Sequence, residues 1–286
     1  MKNITIEDIV LRFDRRKISQ LRAYLPEDSY FQAAKFVLKE KGPVIIATGF
    51  YVSGMAETDG PPGALAIAYT LKALGYPVVL VGDTYCNALW DQETVGNFTI
   101  LNFPISNEKE STLLAKKILK EINPVLLISV ERCGQTQQGV YRNMDRSDIT
   151  AYTARLDHLF RLHERTIGIG DGGNEIGMGL VSDQINMASD LCESTVIDTT
   201  HLLIASVSNW GAYGLVTAIS ELSGQNFLLS PEKEWEWVCN FVKQGATAGI
   251  SGKRECMVDG YSEEINGDIL RALHGYLAEK GLKTVE

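Results

Sequence analysis

The chain has 286 residues, 45% hydrophobic and 22% charged, an ordinary globular composition that is long enough to bury one large core. Its formal net charge of -9 leaves no basic field to neutralise phosphates, which argues against a nucleic-acid partner. Residues 1–8 lack the apolar core of a signal peptide and no apolar run approaches a membrane span, so the expectation is a cytoplasmic protein without a membrane partner.

Residues 4–25 read as an Arg-rich, amphipathic helical lead-in, and 27–41 as a second helix broken by Gly42-Pro43. Residues 1–42 are therefore set apart as a lead-in to a domain over 43–286. Strand 43–48 opens that domain and runs into a polar loop, TGFYVSGMAETDGPPG, from Thr48 to Gly63. Asp59 or Gly60 can cap the next helix, 61–75, and Pro61-Pro62 suits its first turn. Amide N–H groups and the positive end of that helix dipole would favour an anionic group in the loop. Strand 77–82, helix 84–96, strand 99–103 and helix 108–121 follow; Leu113, Leu114, Ile118 and Leu119 recur at helical spacing in the last.

The apolar run 125–130 reads as a central strand whose end carries Glu131, Arg132, Tyr141, Arg142 and Asn143. After a helix over 154–162, strand 166–170 hands over to GIGDGGNEIGMG, from Gly168 to Gly179, with six glycines beside Asp171, Asn174 and Glu175. A helix is expected over 183–190, then strand 202–207, which opens onto Ser208-Asn209-Trp210-Gly211, and a helix over 212–222. Helices 231–244 and 265–280 flank Gly249–Gly252 and Met257–Gly260. Short apolar strands alternating with helices predict right-handed βαβ units. The fold class is α/β, a three-layer, mostly parallel sheet with helices on both faces, Rossmann-like, in a single large domain.

Ligands bind outside the carboxyl ends of the strands in such sheets, so the four polar strand ends should meet in one crevice. They supply the carboxylates Glu57, Asp59, Glu131, Asp171 and Glu175, and Thr48, Gly49, Arg132, Asn143, Gly172, Gly173, Asn174, Ser208 and Asn209 as candidate substrate contacts. Crowded carboxylates divide into acid and base because like charges drive their pKa values apart. This inventory suits a small zwitterionic or dicarboxylic substrate. No GxSxG elbow is present, and His158, His163, His201 and His274 lie outside the loops, which excludes a Ser-His triad. GxxxxGK[ST] is absent, so ATP is not expected. NAD is not expected either, because Asp171 would push a carboxylate at the pyrophosphate and the loop comes late in the chain. The five cysteines show neither disulfide nor zinc spacing; Cys133, beside Arg132, is read as packing.

TGF at 48–50, ETDGPPGA at 57–64, ER-x-G at 131–134, G-x-Y-x-N at 139–143, GDGGNEIGMG at 170–179, SNWG at 208–211, SG at 251–252 and VDG at 258–260 together resemble the C-terminal domain of the D-glutamate cyclase family. The resemblance covers about residues 43–275. It implies a hydro-lyase that converts a small acidic amino acid, D-glutamate, to 5-oxo-D-proline without ATP, with Mn2+ as cofactor. On that reading Asp171 and Glu175 are the first choice for catalysis, Glu57 and Asp59 the second. If Asn174 begins a helix, Asp171 and Glu175 share a divalent ion. Arg132 would hold the substrate carboxylate with Asn143 and Asn209 beside it; an ion pair of Arg132 with Glu57 or Glu131 is the alternative. The chain departs from the family in its Gln-Thr-Gln-Gln stretch after Gly134 region and in offering about forty N-terminal residues where the mammalian form has a further domain. A competing reading is a non-catalytic phosphate- or nucleotide-binding protein built on the Gly-rich loop. Oligomeric state stays open, a homo-oligomer included.

Overall fold

The computed structural model describes residues 4–188 and 190–282. Six parallel strands form one sheet: β1 (Val44–Thr48), β2 (Val78–Gly82), β3 (Thr99–Asn102), β4 (Leu126–Val130), β5 (Thr166–Gly170) and β6 (His201–Ile204). Their spatial order is β3-β2-β1-β4-β5-β6. The chain winds outward from β1 in one direction, then returns past it to β4 and winds outward in the other. The point of reversal lies between β1 and β4, where Ile46 is in register with both Leu80 and Ile128.

The strands are apolar on both faces because both faces are covered. Alternate residues of β1 enter different cores: Val44 and Ile46 join one, Ile45 and Ala47 the other. The larger core is covered by α1 (Ser29–Leu38), α2 (Pro61–Ala73) and α4 (Ser208–Ser223), with α5 (Pro231–Gln244) and α6 (Glu263–Glu279) closing over them; α3 (Glu108–Ile122) covers the opposite face. The expected α/β, three-layer, single-domain fold is what forms. The N-terminal residues share this core, since Ile6, Ile9, Val10 and Tyr30 are buried within it.

Several elements differ from expectation for local reasons. The stretch 84–96 makes two short helices, Thr84–Asn87 and Gln92–Val95, because Asp83 and Asp91 each accept amide hydrogen bonds as N-caps. The lead-in is a helix over Ile6–Val10 and a 3-10 helix over Ile18–Tyr24, parted by left-handed backbone at Phe13 and Lys17. No helix begins at Asn174: residues 171–178 form a turn-rich loop, followed by Ser182–Met187, and residue 189 of the expected helix lies outside the described residues. The helix expected from 212 starts at Ser208. A small antiparallel hairpin, Tyr51–Val52 with Met55–Ala56, fills the loop after β1. Contrary to the reading of unpaired cysteines, Cys239 and Cys256 form a disulfide that ties α5 to the loop before α6. Among the described residues no helix is long and apolar enough to cross a membrane.

Candidate functional site

A cavity of about 440 Å³ opens at the carboxyl ends of the strands, at the reversal between β1 and β4. It is lined by Glu57 from the loop after β1, Glu131 from the end of β4, Asp171 and Glu175 from the Gly-rich loop, and Asp259 from the loop before α6. These carboxylates are all buried. Among the described residues lining the cavity, Arg16 is the one cation. Glu131 and Asp259 sit in left-handed backbone, with φ of 46° and 49°. Non-glycine residues held there carry strain that the surrounding structure must sustain.

Each carboxyl is positioned differently. Glu175 folds back on its own loop: Oε1 accepts from Gly172 N at 2.6 Å and Asp171 N at 3.2 Å, and Oε2 from Gly173 N at 2.7 Å. The anion-accepting nest of the Gly-rich loop is thus filled from within, which removes the basis for a phosphate-binding reading. Glu131 Oε2 accepts from Ser208 Oγ at 2.5 Å. Gly60, at φ 101°, lets this side chain approach, since a Cβ there would lie 2.8 Å from Glu131 Cβ. Asp171 Oδ1 receives Arg16 Nη1, and Arg16 Nη2 lies 2.8 Å from Asp259 Oδ2. The other oxygen of Asp171, Oδ2, is buried without a hydrogen-bond partner.

Burial, reinforced by like-charged neighbours, pushes the carboxyls of Glu57, Glu131 and Asp171 well above their ordinary range. Asp59 is raised to about 8, by burial and then by Asp259. Burial opposes the charge on Arg16, yet Asp171 and Asp259 together hold its guanidinium firmly protonated. So many acids in a small volume require protons or cations between them. Two groups of three offer one oxygen each within 4.8 Å of one another: Glu131, Asp171 and Glu175; and Asp59, Asp171 and Asp259. An all-oxygen donor set suits a hard divalent ion such as Mn2+ or Mg2+. The unpartnered Oδ2 of Asp171 is the kind of atom such an ion would satisfy.

The expected site residues divide clearly. Glu57, Glu131, Asn143, Asp171, Gly172, Asn174 and Glu175 line the cavity. Asn143 Oδ1 accepts from Ser147 N at 2.8 Å, and Asn174 Nδ2 donates to Arg142 O at 2.8 Å, so both amides also brace their loops. The structure does not bring Arg132 to the cavity. It is buried against Asp83 at 2.7 Å, with further donations to Gly49 O at 2.5 Å and Ala154 O at 2.8 Å. Its ion-pair partner is thus Asp83 rather than Glu57 or Glu131. Thr48 and Gly49 are buried behind the cavity, and the left-handed Gly49 packs on Cys86. Asp59, Ser208 and Asn209 are taken up by helix termini: Asp59 accepts from Ser208 N at 2.9 Å and Asn209 N at 2.8 Å, while Asn209 Oδ1 accepts from Gly60 N and Gly63 N. Gly173 contributes its amide to Glu175. Cys133 is buried, which raises its thiol rather than activating it, and Tyr141 donates to buried Asp157 at 2.5 Å.

Sequence reasoning missed Arg16 and Asp259. Asp259 stood inside the VDG motif without a role, whereas Arg16 lay in the lead-in, with no local pattern to mark it.

A family model described as D-glutamate cyclase-like, C-terminal, matches residues 6–274. The chain is 30% identical over 209 residues to D-glutamate cyclase, mitochondrial, of Homo sapiens; the match covers 65% of this chain and 34% of that relative, about a third of its length. An exopolyphosphatase-related protein from Bacteroides fragilis is similar over 91% of this chain and 58% of its own, with TM-score 0.44 and 10% identity, too remote to bear on function. The span of the family match across sheet, Gly-rich loop and cavity leads to one conclusion: the chain belongs to the family of D-glutamate cyclase-like C-terminal domains.

Proposed function

We propose that the chain is a lyase that closes D-glutamate to 5-oxo-D-proline and water without ATP. The observation that carries this reading is the convergence of buried, proton-retaining carboxyls on a cavity at the sheet's switch point, within a chain of this family. Cyclisation requires that the nitrogen lose two protons, one from the α-ammonium and one as the amide forms, that it reach the carbon of the γ-carboxyl, and that the departing oxygen gain two protons to leave as water. A volume of about 440 Å³ suits a small amino acid held folded with its two reacting ends together.

Glu57 and Asp259 lie side by side at Gly249: a Cβ there would lie 2.0 Å from Glu57 Oε2 and 2.9 Å from Asp259 Oδ1, which brings the two carboxyls close together. Carboxyl pairs of this kind divide into donor and acceptor. Glu57, raised by burial and by Asp259, keeps its proton and delivers it to the leaving oxygen. Asp259, paired with Arg16, accepts the first proton of the α-ammonium, and the second, released as the amide forms, passes through the same carboxyl pair to the leaving oxygen, which departs as water. Glu131, Asp171 and Glu175 would hold Mn2+ or a similar ion, which when bound supplies Lewis-acid polarisation of the γ-carboxyl. Glu175 is fixed for this by three backbone amides and Glu131 by the Ser208 hydroxyl. Asn143 and Asn174 offer polar groups at the cavity wall for the substrate.

The test is to incubate purified protein with D-glutamate and Mn2+ and to look for 5-oxoproline by mass spectrometry, with L-glutamate in parallel. Product from wild type and none from Asp171→Asn, at unchanged thermal stability, supports the proposal. Absence of product from wild type with either enantiomer overturns it.

A further inference from the structure

Two groups of carboxylates meet at Asp171, and they differ in what they already hold. In Asp59, Asp171 and Asp259 a cation is in place: the planar Arg16 guanidinium sits between Asp171 Oδ1 and Asp259 Oδ2. In Glu131, Asp171 and Glu175 the guanidinium touches Asp171 alone, and the other oxygen of Asp171, Oδ2, is buried and unpartnered. The forked donors of arginine match two carboxylates on either side of them, whereas a spherical divalent ion is served by three convergent oxygens.

Arg16 is held in place by the chain on both sides of it. Asp14 accepts from Ile18 N at 3.1 Å and Ser19 N at 2.8 Å, and Lys17 pairs with Asp190 at 2.9 Å. Arg15 lies 4.0 Å over the Tyr261 ring, and the Tyr261 hydroxyl donates to Phe13 O. Residues 13–17 therefore form a strap, fastened to the loop before α6 at one end and near the Gly-rich loop at the other. A metal ion entering the cavity meets a guanidinium that the strap does not readily release.

We propose that the cavity contains two adjoining cation positions that share Asp171, and that Arg16 fills one of them, so that the protein takes up one divalent ion rather than two. Arg16 is thus a built-in substitute for a second metal. The inference rests on the carboxylate site read above as a metal site, but not on the reaction assigned to it. Removing the guanidinium while keeping an unbranched side chain leaves Asp171 and Asp259 without the group that bridges them, and a second ion takes its place.

The experiment counts Mn2+ per full-length chain, without substrate, by calorimetric titration and by atomic emission after desalting, with electron paramagnetic resonance to detect coupled ions. Wild type is expected to bind one ion, Arg16→Lys one, and Arg16→Met two, the last with the spectrum of a coupled pair. Asp259→Asn in the Arg16→Met background should return the count to one. Two ions in wild type, none in wild type, or no second ion in folded Arg16→Met would each overturn the proposal. If Arg16→Met fails to fold, the wild-type count still decides, with Glu175→Gln expected to weaken binding of the single ion at least tenfold and unchanged binding in Glu175→Gln overturning the assignment. A protein that binds one ion and makes no 5-oxoproline contradicts the lyase reading alone.

Discussion

Asp59 and Asn209 cap each other's helices. The carboxylate of Asp59, just ahead of α2, accepts from the first amides of α4, Ser208 N at 2.9 Å and Asn209 N at 2.8 Å. Asn209, in the first turn of α4, accepts at Oδ1 from Gly60 N at 3.0 Å and Gly63 N at 2.8 Å at the start of α2, and donates from Nδ2 to Thr58 O at 3.1 Å. Two helix N-termini are thereby locked beside the cavity and their amide donors satisfied. Both residues are fully or almost fully buried, so water cannot replace the exchanged bonds. Asn209→Ala should lower stability by about 2–4 kcal/mol, read by urea unfolding. A loss under 1 kcal/mol, together with a selective rise in KM, would return Asn209 to the substrate.

Arg132 and Asp83 are a buried ion pair, with both side chains at most 2% exposed. Removing one partner leaves the other charge stranded, which typically costs about 3–5 kcal/mol. Arg132→Met is therefore expected to lose that much stability or fail to accumulate as soluble protein, while Arg132→Met with Asp83→Asn, which removes the stranded charge and keeps the cap on Thr84–Asn87, recovers part of it. Thermal and urea unfolding of the three proteins decide the matter. A stable Arg132→Met with a raised KM for glutamate would instead place the guanidinium on the substrate.

Gly249 leaves room for the carboxyl pair. A Cβ there would lie 2.0 Å from Glu57 Oε2 and 2.9 Å from Asp259 Oδ1, and both obstacles are the far ends of movable side chains. Gly249→Ala should therefore fold normally but displace Glu57, and a shift of about 1 Å at a reacting group costs roughly 100-fold in rate. Turnover of glutamate alongside the melting temperature measures this. Full activity in the alanine variant would take Glu57 out of proton transfer.

Glu234 gives a pH signature outside the cavity. It is buried on α5, with Tyr213 OH donating to its Oε1 at 3.3 Å, and burial raises its carboxyl to about 8 from an ordinary value of 4.5. The folded state thus retains a proton that the unfolded chain releases, so its contribution to stability is fully present below pH 4.5 and is lost as pH rises through 8. Glu234→Gln should flatten the fall in melting temperature between about pH 5 and pH 8, followed by calorimetry across that range. An unchanged slope would show that Glu234 stays ionised in the folded protein.

Most of the architecture was legible because its signals are local. Runs such as Val44–Thr48 and Leu126–Val130 show their burial in continuous apolar sequence, and Pro61-Pro62 marks the start of α2 by its own chemistry. Asp171 and Glu175, singled out by the dense Gly-rich loop, line the cavity. Caps exchanged between distant segments were not legible. Asp59 and Ser208 are 149 positions apart, so the start of α4 was placed four residues late. The Cys239–Cys256 pair, 17 positions apart, carries no spacing signal either.

What the sequence by itself determined is the supply of groups and the edge at which they emerge: parallel βαβ units bring the loops after β1, β4, β5 and β6 to one end of the sheet. Tertiary structure decided which groups face the cavity and which face protein. Asp83 draws Arg132 inward, Asn209 and Asp59 turn to the helix ends, and the strap brings Arg16 across 155 positions to Asp171. The reason is physical: composition of a loop fixes which charges are present, but a buried charge goes to the partner that satisfies it, and that partner is chosen by packing rather than by proximity in the chain.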